Sequence, residues 1–127
     1  MKLQYMVALS LMTGVAIGAV AIDRLHAQAK SPAVYVVAEI DVSDVDSYVK
    51  EYAPLAQAAI KSAGGRILAV GQNAMAVEGA PPAKRVAIQE WPSMEQYKKY
   101  RASAALADAR KVGDKYAKFR SWAIEGQ

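Results

Sequence analysis

Two hydrophobic periods succeed one another along the chain, and each change of period predicts an element. In "VYVVAEIDV", residues 34–42, polar and apolar side chains divide between the two faces of a β-strand. Val36, Ala38, Ile40 and Val42 make one wholly apolar face; Tyr35, Val37, Glu39 and Asp41 make the other. The period then lengthens. Val45, Tyr48, Val49, Tyr52, Leu55, Ala59, Ile60 and Ala63 follow the i, i+3, i+4, i+7 spacing of one buried helix face, with Ser43 or Asp44 placed to cap its start. Pro54 has no N–H for that ladder, so a kink or restart is expected near Tyr52. Gly64 or Gly65 then takes the left-handed position that ends the helix.

The second half uses the same devices. "RILAV" and "AMAVE" flank "GQN" at 71–73, which predicts a hairpin or one bulged strand. "GAPPAK" at 79–84 is a loop, and "RVAIQEW" at 85–91 is a strand closed by Pro92. Ser93 and Gln96 make a capping box for a helix carrying "MEQYKKY". A further helix is expected over about Ala104 to Lys118, and "FRSWAIEG" closes the chain as a strand.

The halves also correspond. A shift of 49 residues lays Val37, Ala38, Tyr48 and Lys50 on Val86, Ala87, Tyr97 and Lys99, with Asp41 on Glu90 and Asp46 on Glu95. A shift of 47 lays "AVEG" at 76–79 on "AIEG" at 123–126. A βαβ unit written twice predicts an α+β, ferredoxin-like βαββαβ fold, its antiparallel sheet covered by helices on one face. The other face is too apolar to stay in water. Two subunits packed sheet to sheet would bury it, so a homodimeric α/β barrel is expected.

Composition changes the picture mainly at the N-terminus. Lys2, an apolar run from about Met6 to Ile22, and Ala27-Gln28-Ala29 have the order of a secretory signal peptide. Residues 1–29 are therefore expected to be removed after Ala29, leaving residues 30–127 as one domain in a periplasm or outside the cell. The alternative is an uncleaved membrane anchor, since the run is near the lower length for a span. Cleavage would lower the basic residues from 16 to 14 and the acidic from 12 to 11. It would also remove His26, the single histidine, from a chain that has no cysteine. Nucleophiles of the Ser-His-Asp or Cys-His kind, His-ligated zinc and His-ligated haem are then excluded. Met75 and Met94 have no metal-like spacing, and neither a metal nor a cofactor is expected.

"YVVAEIDVSDVDSYVKEYAPLAQAAIKSAGGRILAVG", "EGAPPAKRVAIQEWPSMEQ" and the terminal "IEG" closely resemble the domain-of-unknown-function 1330 family over about residues 33–126. The resemblance implies the dimeric α/β-barrel superfamily, which includes cofactor-free monooxygenases, haem-degrading enzymes and stress-response barrels. It implies architecture and no settled activity. Three departures stand out. The family usually has an apolar residue where Gln89 stands and commonly Phe where Trp91 stands, and "RASAALADARKVGDKY" follows it only loosely.

Candidate chemistry centres on the polar face of the first strand. The shift of 49 carries Tyr35, Val37, Glu39 and Asp41 onto Lys84, Val86, Ile88 and Glu90, so Glu39 and Glu90 both face the barrel. One reading makes them a desolvated carboxylate pair acting as general base, with Tyr35, Asp41 and Arg66 contacting a small acidic or aromatic ligand. The other has Glu39 bonded across the dimer to an arginine or a backbone amide, fixing register. Tyrosines 48, 52, 97 and 100 have helical spacing and read as core or interface anchors. Ten basic and five acidic residues in 84–126 read as a solvated face, with no nucleic-acid partner expected outside the cell. Membrane contact is expected only through the N-terminal segment. Two functions follow: binding of a small organic ligand in the barrel, or cofactor-independent oxygenase or isomerase chemistry with Glu39 as base.

Overall fold

The computed structural model describes residues 31–127, so the expected signal peptide lies outside the described residues. Strand β1 (Val34–Val42) leads to a helical stretch in three parts: α1 (Val45–Ser47), a π-helical turn (Tyr48–Tyr52) and α2 (Ala53–Ser62). After β2 (Arg66–Gly71) and β3 (Arg85–Trp91) come α3 (Met94–Arg101), α4 (Ala104–Gly113) and β4 (Ala117–Glu125). The strands pair antiparallel in the order β2-β3-β1-β4. This is the ferredoxin-like α+β arrangement expected from the repeated βαβ unit.

Local chemistry explains where the elements begin and end. Asp44 caps α1: its carboxylate accepts from the Ser47 N–H and hydroxyl, which holds its pKa below the usual carboxylate range. At the expected kink, the Ala53 N–H reaches back five residues to the Tyr48 carbonyl. Pro54 has no N–H to offer, and the ladder widens just before it. Helix α2 ends with Gly64 at φ +93°, the Gly64 N–H on the Lys61 carbonyl and the Gly65 N–H on that of Ile60. Ser93 caps α3 through the Gln96 N–H, whereas the Gln96 side chain donates to the Ala63 carbonyl instead of closing a capping box. That bond ties the start of α3 to the end of α2.

Three expectations need correction. "AMAVE" is not a strand: β2 ends at Gly71, and residues 72–84 form a loop in which Met75 is 81% and Val77 85% exposed. Strand β2 pairs with β3 on one side, and "AMAVE" leaves its other side as the open sheet edge instead of adding a hairpin strand there. The match of "AVEG" to "AIEG" therefore joins a loop to a strand. The bulge lies earlier, where register shifts between Ile67 and Ala69. Helix α4 stops at Gly113 rather than near Lys118, and β4 starts at Ala117. A Cβ on Gly113 would lie 2.6 Å from the Tyr52 ring, so the end of α4 rests directly on that tyrosine.

The buried side chains form two clusters between the helices and the sheet. One contains Val34, Val36, Ala59, Ile60, Trp91, Tyr100 and Leu106. The other contains Ile40, Tyr48, Tyr52, Ala87, Ala109 and Ala117. Two of the family departures are coupled in the first cluster. Trp91 is 1% exposed and its indole N–H donates to Gln89 Oε1 at 3.0 Å. An indole needs a buried acceptor that a phenyl ring does not, and Gln89 supplies it.

Candidate functional site

Antiparallel register decides which candidate residues can meet. Strand alternation puts Tyr35, Glu39, Asp41, Arg66 and Glu90 on the sheet face away from the helices, as expected. Within one chain they do not come together as one site. Glu39 stands opposite Val86, and Glu90 opposite Tyr35, so the two carboxylates are four strand positions apart. At about 3.3 Å per residue that is roughly 13 Å. Repeat-equivalent positions lie toward opposite ends of neighbouring strands when those strands run antiparallel, which separates the expected carboxylate pair.

Each carboxylate has its own partners. Glu90 accepts from Arg66 Nη2 at 3.1 Å through both oxygens, and the two residues are directly opposed in the β2–β3 register. Tyr35, Glu90 and Arg66 thus form a row across three strands at one end of the sheet. Toward the other end, Glu39 Oε1 accepts the Ala83 N–H at 3.1 Å and Oε2 lies 3.4 Å from Arg120 Nη1. Asp41 stands opposite Lys118. The partner types expected for a structural Glu39, an arginine and a backbone amide, are present within its own chain. An open depression of about 270 Å3 lies beside Glu39, bounded by Asp41, Pro81, Ala83, Lys118, Phe119 and Arg120.

A more enclosed space lies on the opposite face of the sheet, where the two core clusters leave a gap. This cavity, of about 70 Å3, is lined by apolar side chains including Val36, Ile40, Ile60 and Ala87. Tyrosines 48, 52, 97 and 100 also line it, with Arg85, Arg101, Arg110 and Gln89. The π-helical turn positions the first pair of tyrosines, both buried, with ring centroids 5.0 Å apart. Arg85 reaches the cavity because 85, 87, 89 and 91 are the inward positions of β3. Arg110 follows from α4, whose buried residues are Leu106, Ala109 and Gly113. The Arg110 guanidinium lies 3.7 Å from the Phe119 ring centroid, and that of Arg85 lies 5.0 Å from the Tyr48 centroid.

The electrostatics of this cavity are one-signed. Its lining has three arginines and no carboxylate, and the Nε atoms of Arg85 and Arg110 are buried with no acceptor among the described residues. Burial pushes the Tyr52 hydroxyl up to about 12, against the opposing charge of Arg110. Desolvation raises Tyr48 too, opposed first by Arg85 and then by Arg110, and it raises Tyr100. All three hydroxyls therefore stay protonated and neutral near pH 7. The helical spacing of these tyrosines marks them as anchors, and it gives no sign of the arginines beside them. The inward alternation of 85, 87, 89 and 91 was the available signal. Among the described residues no group of three or more His, Cys, Asp or Glu is placed to hold a metal ion, and no helix is long and apolar enough to cross a membrane.

A family model described as a domain of unknown function (DUF1330) matches residues 33–127. The chain belongs to the DUF1330 family. No curated protein matches it. Among solved structures, this DUF1330 chain is similar to the methylated RPA0582 protein, at 13% identity and a TM-score of 0.64, covering 77% of this chain and 83% of that one. RPA0582 is a protein of unknown function from Rhodopseudomonas palustris. It is also similar to SnoaB, a cofactor-independent oxygenase from Streptomyces nogalater, at 11% identity and a TM-score of 0.56, covering 76% and 95%. A third likeness is to a putative antibiotic biosynthesis monooxygenase from Nitrosomonas europaea, at 10% identity and a TM-score of 0.50, covering 76% and 92%. At these identities the likeness is one of fold, a ferredoxin-like α+β arrangement.

Proposed function

We propose that this DUF1330 chain is an exported, homodimeric small-molecule-binding protein whose ligand sits in the cavity between the helices and the sheet. The observation that carries the reading is the cavity lining, where buried arginine N–H groups without protein acceptors meet apolar walls. Buried polar groups in a folded domain are nearly always satisfied, so two unmatched Nε donors on arginines that line one space argue for a bound acceptor reached by a small shift of those side chains. A mostly apolar space with a few convergent polar groups is the usual form of a ligand site. In this reading the ligand sits on the helix side of the sheet, and the open face is left for subunit contact. Exposed Trp122 and Ile124 on that face support the dimer, and the residues from Lys2 to Ala29 support export.

A second reading keeps an observation of its own. The depression beside Glu39 would be closed over by a second subunit, and SnoaB, of the same fold, is a cofactor-independent oxygenase. In that reading Glu39 is a base for an acidic or aromatic substrate. It requires the carboxylate to leave Ala83 or Arg120 when substrate arrives.

A small-molecule screen by thermal shift on the purified chain separates the two, because a ligand that binds only the folded state raises its melting temperature. Hits whose stabilisation is lost in Arg110→Gln and kept in Glu39→Gln support the cavity. The reverse pattern overturns it in favour of the Glu39 face. A screen with no hit that depends on Arg110 also overturns it.

A further inference from the structure

We infer that the ligand of this cavity is a small organic carboxylate, with its carboxylate between Arg85 and Arg110 and its apolar body against Val36, Ile40, Ile60 and Ala87. The inference rests on the proposed location of the site and adds the chemical class of its occupant.

The reasoning begins with how each arginine is held. Arg110 lies over the Phe119 ring and Arg85 over that of Tyr48, so neither guanidinium pairs with a protein anion. Among the described residues, the salt bridges involve Arg66, Lys99, Lys111 and Arg120, and neither Arg85 nor Arg110. An aromatic face contacts the flat of a guanidinium, and beyond that Arg85 reaches the Tyr48 hydroxyl and Arg110 the Tyr52 hydroxyl, leaving Nε as the unmatched donor. In both residues the Nε–H, one donor of the edge that grips a carboxylate through two parallel bonds, is buried and unmatched.

Two like charges lining one space without a counter-charge are unfavourable, and an anion relieves both the repulsion and the unmatched donors. The nearby hydroxyls favour the same occupant. Tyr48 and Tyr52 are neutral near pH 7, so they offer O–H donors rather than a competing negative charge. The rest of the wall distinguishes an organic anion from an inorganic one. Val36, Ile40, Ile60 and Ala87 offer nothing to the outer oxygens of phosphate, but they match a short alkyl or phenyl body. Size sets the scale: about 70 Å3 is well below the roughly 300–1,000 Å3 of drug-sized sites, so the ligand has few heavy atoms.

The test is titration of the purified full chain with acetate, butyrate and benzoate, with acetamide, butyramide and benzamide as neutral counterparts, and with inorganic phosphate. Binding is read from 1H–15N spectra that include the arginine Nε–H signals. At least one carboxylate is expected to move the Nε–H signals of Arg85 and Arg110 together with the Ala87 amide. It should bind at least about tenfold more tightly than its amide, since a hydrogen bond between charged groups exceeds a neutral one by that order. Arg85→Gln and Arg110→Gln should each weaken it by at least about tenfold, and Arg110→Lys, which keeps the charge and lacks the Nε–H, should recover only part.

If an amide binds at the Ala87 signal as tightly as its carboxylate, the cavity is a ligand site and the anion inference fails. Phosphate binding as tight as the best carboxylate also overturns it, leaving a site for charge alone. If neither series disturbs the cavity signals, the inference and the proposed location fall together. The wild-type spectra decide these outcomes even if an arginine variant does not fold.

Discussion

Glu39 joins three segments through two oxygens. Its backbone belongs to β1, Oε2 pairs with Arg120 on β4, and Oε1 accepts the Ala83 N–H at the end of the 72–84 loop. The two bonds differ in worth. Arg120 is 78% exposed in its side chain and Glu39 13%, so solvent screens much of the ion pair. Ala83 offers an amide donor whose partner cannot be replaced without rearranging the loop. Glu39→Gln keeps an oxygen for that amide and should lower unfolding stability by less than about 1 kcal/mol in urea titrations. Glu39→Ala removes the acceptor and should cost about 1–2 kcal/mol, with faster protease cleavage between residues 72 and 84. Equal losses in the two variants would mean that the charge, not the loop amide, is what Glu39 serves. At this scale the sequence shows which way a side chain points and not what it meets. Alternation put Glu39 on the open face, but Arg120 and Ala83 reach it through a register and a loop path that depend on the whole sheet.

Among the elements, the π-helical turn matters most to the candidate site, because it turns Tyr48 and Tyr52 inward together beside Arg85 and Arg110. Pro54 made an irregularity legible near Tyr52; the widened ladder was not legible, since one residue's change of hydrogen-bond partner leaves no mark on the hydrophobic period. The strand ends and the Gly64–Gly65 stop were legible because each rests on a local signal. The end of α4 was not, because Gly113 stops it against Tyr52, a contact between distant parts of the chain. "AMAVE" has a strand's composition, yet it leaves the free edge of β2 unpaired. The buried tyrosines also imply a pH dependence. Tyr52 is raised from its ordinary 10 to about 12, so the folded state holds its proton more tightly than the unfolded chain. The stabilisation is complete below pH 10 and is lost as pH rises toward about 12, a difference on the order of 2–3 kcal/mol for a two-unit shift. Tyr48 and Tyr100 shift in the same direction and add to it. Urea unfolding followed from pH 9 to pH 12 should show this alkaline decline, and Tyr52→Phe should flatten it. An undiminished slope in that variant would assign the decline to other groups.

For the whole molecule, the two faces of the sheet divide the work. The helix face holds the cavity and most of the buried apolar surface, while the open face combines cross-strand charge pairs with exposed aromatic and aliphatic groups. Arg66 with Glu90 and Glu39 with Arg120 sit on two different strand pairs. Between them in the sheet, Val37 stands opposite Trp122 on one side and Ile88 on the other. Trp122 is 47% exposed and Ile124, nearby on the edge strand, 63%. This mixture suits the proposed contact with another copy of the chain, in which the apolar middle would give affinity and the flanking charges would oppose misregistered pairing. The cavity lies on the other face, and two of its arginines, Arg101 and Arg110, come from the segment that resembles the family only loosely. Subunit contact and ligand contact should therefore be separable by mutation. Trp122→Glu places a charge in the apolar middle and should weaken self-association by at least about thirtyfold, the scale of losing a central tryptophan from an interface. Sedimentation velocity across a concentration series should show wild-type protein at twice the chain mass and the variant at the monomer mass, with unchanged far-UV circular dichroism. Benzoate titration of the monomeric variant then reports on the division itself. Retained binding places the ligand site wholly within one subunit, whereas binding lost with the dimer would return the site to the open sheet face beside Glu39.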